Sequence, residues 1–151
     1  MAKYEDAIRQ LVGPVNTPTD ADDWCTEGAK TVINAMPPQL LENIKQVSSF
    51  TASQSVSGRK VLDVLRNDGT IDQPCRKVPA MLRGRVTDTL DMNYALPSDP
   101  VYYIHGETCF VKPAPDASSG IMMYVGYPSI DVSDDDYPGI AYFPDEYEYL
   151  I

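Results

Sequence analysis

Histidine is nearly absent from this chain of 151 residues, where His105 stands alone, and cysteine is confined to Cys25, Cys75 and Cys109. A zinc site of the usual four ligands would need all of these together, yet they fall on what read as four separate elements. A general base would have to be His105, which the sequence places in a hairpin turn. The cysteines are odd in number, far apart and without a C-x-x-C pair, so a disulfide framework is excluded and reduced, buried, small apolar side chains are the reading. No phosphate-cradling G-x-x-x-x-G-K-[ST] or G-x-G-x-x-G string occurs. No apolar run approaches the roughly 18 residues of a membrane-spanning helix, and Met1-Ala2-Lys3-Tyr4-Glu5-Asp6 lacks the apolar core of a signal peptide. The expectation is a chain made in a cytoplasm, not an enzyme, with no cofactor and no membrane partner.

Positive charge is missing from one long stretch. Between Asp116 and Ile151 there are eight acids (Asp116, Asp131, Asp134, Asp135, Asp136, Asp145, Glu146, Glu148) and no Lys or Arg, a composition that repels nucleic acid. The opposite pole is Arg76, Lys77, Arg83 and Arg85, with no acid between Cys75 and Val86, inside a chain of net charge −10. A basic loop and an acidic tail predict contact between copies, or with a charged neighbour; a solvated surface loop is the alternative. Asp131, Asp134, Asp135 and Asp136 resemble part of a calcium loop, but the EF-hand glycine position holds Asp136 and the bidentate Glu position holds Tyr142, so they remain weak divalent-cation candidates.

What is present suits a globular chain with a core of its own. The apolar share of 43% and charged share of 23% are ordinary. Tyr4, Ala7, Ile8, Leu11 and Val12 predict a short helix over 3–12 that stops at Gly13-Pro14. A second helix opens with Thr17 as cap and Pro18 in the first position, and carries Trp24, Cys25, Gly28, Ala29, Val32, Ile33 and Met36 as one core stripe. Pro38 then opens a third, with Leu40, Leu41 and Ile44. From there the period turns extended: 47–52, 60–65 and 75–78 read as strands, 101–104 and 108–111 as a hairpin around His105-Gly106-Glu107, and 121–125 as another strand. Residues 79–100 carry Pro79, Gly84, Pro97 and Pro100 and read as a long loop lying over a surface. The fold expected is α+β in a single domain: an N-terminal helical hairpin over 1–46, an antiparallel sheet or sandwich over 47–130, and an acidic segment with the start of a C-terminal helix over 131–151.

Nine of the ten tyrosines lie in the second half: Tyr94, Tyr102, Tyr103, Tyr124, Tyr127, Tyr137, Tyr142, Tyr147 and Tyr149. Tyrosine gives contact area and a hydrogen bond together, so about half are expected at contacts between subunits. Phe143-Pro144-Asp145-Glu146 opens a helix whose apolar face, with Tyr147 and Leu150, is expected to continue or to dock on a partner. The interface candidates are thus Arg76, Lys77, Arg83 and Arg85 on the basic loop, and Tyr94, Tyr102, Tyr142, Phe143, Tyr147 and Leu150 among the apolar groups.

Several strings resemble a family of virion structural proteins from tailed phages, particularly phages of marine bacteria. They are Glu27-Gly28-Ala29-Lys30, Met36-Pro37-Pro38-Gln39-Leu40-Leu41-Glu42, Cys75-Arg76-Lys77-Val78-Pro79, Ala95 with Asp99-Pro100-Val101-Tyr102-Tyr103, Tyr127-Pro128-Ser129-Ile130, and Phe143-Pro144-Asp145-Glu146. The resemblance runs from about residue 20 onward and rests on order and spacing, since none of these strings is catalytic. It implies a particle component: a head-to-tail connector adaptor of the neck, forming a homo-oligomeric ring between portal and tail proteins, with DNA passing by without specific binding. The alternative it leaves is a tail-tube, baseplate or fibre-attachment protein; apart from the resemblance, the acids from Asp131 to Asp136 leave a cation-dependent binding module or enzyme as a third reading.

Overall fold

A computed structural model of the chain describes residues 18–115 and 119–129, with side chains from residue 22 onward. The chain divides into a helical unit, containing 18–45 and 126–129, and a β unit of 46–125. The helix expected over 3–12 lies outside the described residues, so the N-terminal helical hairpin is not supported. One long helix and one short helix, joined to two sheets, make the mixed α+β class.

Helix α1 (Pro18–Ala35) begins at the expected proline. Its core stripe is Cys25, Ala29, Ile33 and Met36, all buried and spaced four, four and three residues apart. Trp24 corrects the sequence reading. One position before Cys25 it is turned about 100° around the helix, and its ring is 55% exposed. Met36 closes the helix by donating its N–H to the Val32 carbonyl at 3.0 Å, and Pro37-Pro38 then prevents continuation. Helix α2 (Pro38–Leu41) runs into a 3-10 turn at Glu42–Ile44. Leu41 and Ile44 are buried there, while Leu40 points to solvent instead of joining them.

The β unit contains β1 (Gln46–Phe50), β2 (Ser53–Ser55), β3 (Arg59–Asn67), β4 (Asp72–Pro74), β5 (Arg76–Lys77), β6 (Val101–His105), β7 (Thr108–Lys112) and β8 (Gly120–Gly126). They form two four-stranded sheets, in the orders β1-β8-β3-β4 and β2-β7-β6-β5. Phe50, Val64 and Met122 of the first sheet share one buried cluster with Tyr102, Cys109 and Val111 of the second, so the sheets enclose a common interior. Cys75 is the single residue between β4 and β5, which belong to different sheets, and its N–H donates to the Val64 carbonyl at 2.8 Å.

Pairing is antiparallel between β1 and β8, β2 and β7, β3 and β4, and β6 and β7. The expected wholly antiparallel sheet fails at one place: β5 pairs parallel with β6, Arg76 opposite Val101 and Lys77 opposite Tyr102. The β3–β4 turn follows its sequence chemistry, whereas the β6–β7 turn holds a non-glycine residue in the left-handed region. Asp68 Oδ1 accepts the backbone N–H groups of Thr70 and Ile71, each at 2.9 Å, and Gly69 has φ +98°. The β6–β7 turn places Gly106 and Glu107 at φ +55° and +58°, the left-handed pair that a tight two-residue hairpin needs.

Gly120 sits opposite Phe50 in the β1–β8 pair, with the Phe50 ring folded over it. A Cβ at that position would lie 2.8 Å from Phe50 Cε2 and 2.9 Å from the Phe50 carbonyl oxygen. Gly120→Ala is therefore expected to destabilise the protein by about 1–3 kcal/mol in urea unfolding. Glu107→Asn, which relieves a left-handed backbone at an exposed turn, is expected to raise stability by up to about 1 kcal/mol in the same measurement.

Candidate functional site

A parallel strand pair cannot be joined by a tight turn; the chain needs a crossover of about a dozen residues or more. Between β5 and β6 that crossover is 78–100, the segment whose prolines and weak periodicity mark it as a surface loop. Both ends are clamped: Arg76 N–H donates to the Pro100 carbonyl at 2.8 Å and Val78 N–H to the Tyr102 carbonyl at 2.9 Å. Between the clamps the chain folds as successive turns, including 3-10 turns at Ala80–Leu82 and Arg85–Thr87. Asp88 Oδ1 accepts the Leu90 N–H at 3.0 Å, and Asp91 Oδ1 accepts the Asn93 backbone N–H at 2.8 Å. Ala95 N–H donates to the Val86 carbonyl at 3.0 Å, drawing the two limbs of the loop together.

The loop has a core of its own. Val78, Val86 and Ala95 bury against Val101 and Tyr103, with Leu82 and Phe110 packed beside them. Tyr103 and Phe110 stack with ring centroids 5.4 Å apart. Strand β6 is thus covered on both faces: Tyr102 points into the sandwich and Val101 and Tyr103 point under the loop.

On its outer side the same loop leaves large apolar groups in solvent: Met81 is 87% exposed, Leu90 95% and Met92 93%, and Leu96 is half-exposed. A cleft of about 200 Å³ opens among Val86, Thr87, Tyr94, Ala95, Lys112 and Pro113. That is below the roughly 300–1,000 Å³ of small-molecule and cofactor sites. An apolar floor, two hydroxyls and one ammonium at this scale suit an inserted side chain.

The basic stretch looks different once folded. Arg76 Nη2 lies 3.1 Å from Asp99 Oδ2, and Arg85 Nε 3.7 Å from Asp91 Oδ2. Arg83 Nη1 rests against the imidazole of His105, 3.1 Å from Nε2. Lys77 is exposed beside them. Acids downstream in the loop fold back onto two of the arginines, so half of the positive pole read from the sequence, Arg76 and Arg85, is paired with a carboxylate. Backbone N–H donation from Asn93 holds the Asp91 carboxyl below its usual range. Its contribution to the loop is therefore present above the ordinary carboxylate pKa and is lost as pH falls through the depressed one.

Of the other candidates, Tyr94 lines the cleft. Tyr102, expected at an interface, is instead in the sandwich interior. Tyr142, Phe143, Tyr147 and Leu150, and the cation candidates Asp131, Asp134, Asp135 and Asp136, lie outside the described residues. Among the described residues no group of three or more His, Cys, Asp or Glu side chains could hold a metal ion. No helix among them is long and apolar enough to cross a membrane. The exposed Met81, Leu90, Met92 and Leu96 escaped the sequence reading because they follow no period. Their one signal was position, as apolar residues set within Asp and Asn turn chemistry.

Cys25, Cys75 and Cys109 are all free and buried, the last two inside the sandwich. Burial, reinforced by the neighbouring Cys109, pushes the Cys75 thiol up to about 12; burial raises Cys109 to about 11 and Tyr102 to about 12. Comparison with protein-family models, with curated proteins and with solved structures finds no match to this chain.

In an unfolded chain these thiols would ionise near pH 8.5. From there up to the raised folded values the unfolded state loses protons that the folded state keeps, so stability falls as pH rises. The urea midpoint is expected to drop progressively above about pH 9, with a shallower drop in Cys109→Ala. A flat midpoint to pH 11 would contradict the burial of this trio.

Proposed function

We propose that this chain is a non-catalytic structural subunit of a tailed-phage particle, most specifically a head-to-tail connector adaptor that assembles as a ring between portal and tail. The observation that carries the reading is the outer side of the crossover loop. An ordered loop, anchored by its own core, holds Met81, Leu90 and Met92 almost fully in water. Apolar groups clustered on so short a segment fit a protein–protein contact better than a free surface. The cleft beside them, with Tyr94 at its wall, is scaled to an anchoring side chain.

The family strings support the same reading. Cys75-Arg76-Lys77-Val78-Pro79 and Asp99-Pro100-Val101-Tyr102-Tyr103 fall on the two clamped ends of the loop, where substitutions would disturb its anchorage. The surplus of acids suits a subunit past which DNA moves without sticking, since few phosphates would be neutralised.

Two measurements test this. Native mass determination of the purified protein is expected to give a closed oligomer, and purified particles are expected to contain many copies of the chain. A single copy per particle, or absence from particles, rules the adaptor role out. Arg83→Glu is expected to leave the fold intact by circular dichroism yet weaken assembly; unaltered assembly would remove Arg83 from the contact.

A further inference from the structure

We infer that β1 is a pairing edge for β1 of a second copy of the chain, the two strands running antiparallel about a two-fold axis at Ser48 so that the two β1-β8-β3-β4 sheets join into one. This goes beyond the ring reading above, because a two-fold contact closes on itself in a dimer. Direction of the backbone groups, register and charge each support it.

The direction follows from the neighbouring ladders. Among the described strands β1 has β8 on one side and nothing on the other. The end of β3 lies beside the start of β8, where the Asn67 N–H donates to the Ser119 carbonyl at 2.7 Å, so the two strands run antiparallel with 67 and 119 as a hydrogen-bonded pair. Bonding alternates along such a ladder, so Gly120, Met122 and Tyr124 turn their backbone groups away from β3 and toward β1, where they face Phe50, Ser48 and Gln46. The Cys75 N–H on the Val64 carbonyl obeys the same alternation on the far side of β3. Gln46, Ser48 and Phe50 therefore bond inward, and the N–H and C=O groups of Val47 and Ser49 point out of the sheet. Among the described residues no other backbone group bonds to them.

These outward groups are complementary to themselves. With Ser48 opposite Ser48 of the other copy, Val47 of each copy meets Ser49 of the other, and every outward donor at these positions finds an outward acceptor. The same pairing gives Val47, 60% exposed, a cross-strand neighbour. All five residues of β1 pair in continuous register with β8, and the strand has no proline, lysine or bulge of the kind that blunts an edge.

Charge favours a second copy at this place. The chain carries a net −10, so most surfaces of two copies repel. From Gln46 to Gly58 there is no charged residue, and β1 brings no acid to the contact. Lys45, at the start of the strand, falls opposite Thr51 of the other copy rather than its own counterpart, so the two-fold register sets no like charges face to face. Two five-residue strands make a small contact, and the dimer is expected to exchange with monomer.

The test is cross-linking of the full-length chain. Ser48 meets its counterpart as a non-hydrogen-bonded pair, the closer kind. Ser48→Cys, oxidised by dioxygen with copper phenanthroline, is expected to give a covalent dimer on non-reducing electrophoresis. Ser55→Cys, on the three-residue margin strand β2, is the control for collision, and the unaltered chain, whose own cysteines are buried, is the control for background. Adding Ser49→Lys to Ser48→Cys is expected to slow cross-linking by about tenfold or more with an unchanged circular dichroism spectrum, since ammonium groups then meet diagonally across the axis. Absence of the covalent dimer, equal linking by Ser55→Cys, or an unchanged rate after Ser49→Lys each overturns the inference. Any of these results beside a closed ring in native mass measurement leaves the adaptor reading standing on other surfaces.

Discussion

Two residues of parallel pairing organise the β unit. Arg76 and Lys77 lie alongside Val101 and Tyr102 in the same direction, and a chain that must re-enter a sheet in parallel has to cross over one of its faces. Here the crossover has no helix; it is a series of capped turns that buries Val86 and Ala95 against Val101 and Tyr103. The central strand β6 acquires two interiors as a result, one shared with the opposite sheet and one made by the loop alone. Exposed apolar groups can then be held in fixed positions by a segment that has almost no regular structure.

The same crossover decides the electrostatics. In the sequence, four basic residues stand without an acid among them; in the fold, Asp91 and Asp99 return to Arg85 and Arg76. Exposed pairs of this kind contribute little to stability. Their effect is on what the surface presents. Pairing of Arg76 and Arg85 lowers the field around the loop, while Lys77 keeps its charge in solvent. Arg83, resting on His105, links the loop to the β6–β7 hairpin in the same way.

Much of this was legible from residue order. Pro18 placed the start of α1, Asn67-Asp68-Gly69 and His105-Gly106-Glu107 placed two hairpin turns, and prolines marked 79–100 as a loop over a surface. These features are local, fixed by φ restriction or by a side chain bonding a nearby N–H. What was not legible is what tertiary contact decides. Trp24 carried the hydrophobicity of a core residue, but Cys25, one position on, defines the buried stripe. Strand β5 is only two residues long and has no period of its own, so its parallel register comes from the clamps at Pro100 and Tyr102. Tyr102 and Tyr94 are the same residue type, and only the fold sends one inward and the other to a cleft. The loop was readable as a candidate site; its apolar outer side was not, because side-chain direction in non-periodic turns depends on where Val86 and Ala95 are pinned.

The sheet margins carry a final implication. Three of the four outermost strands, β2, β4 and β5, are only two or three residues long, and β4 ends in Pro74, which has no amide hydrogen to offer. Among the described strands at a sheet margin, only β1, with five residues, is long enough to pair with a foreign strand. Strand addition is therefore disfavoured at three of the four described margins, which guards the sandwich there against edge-to-edge aggregation.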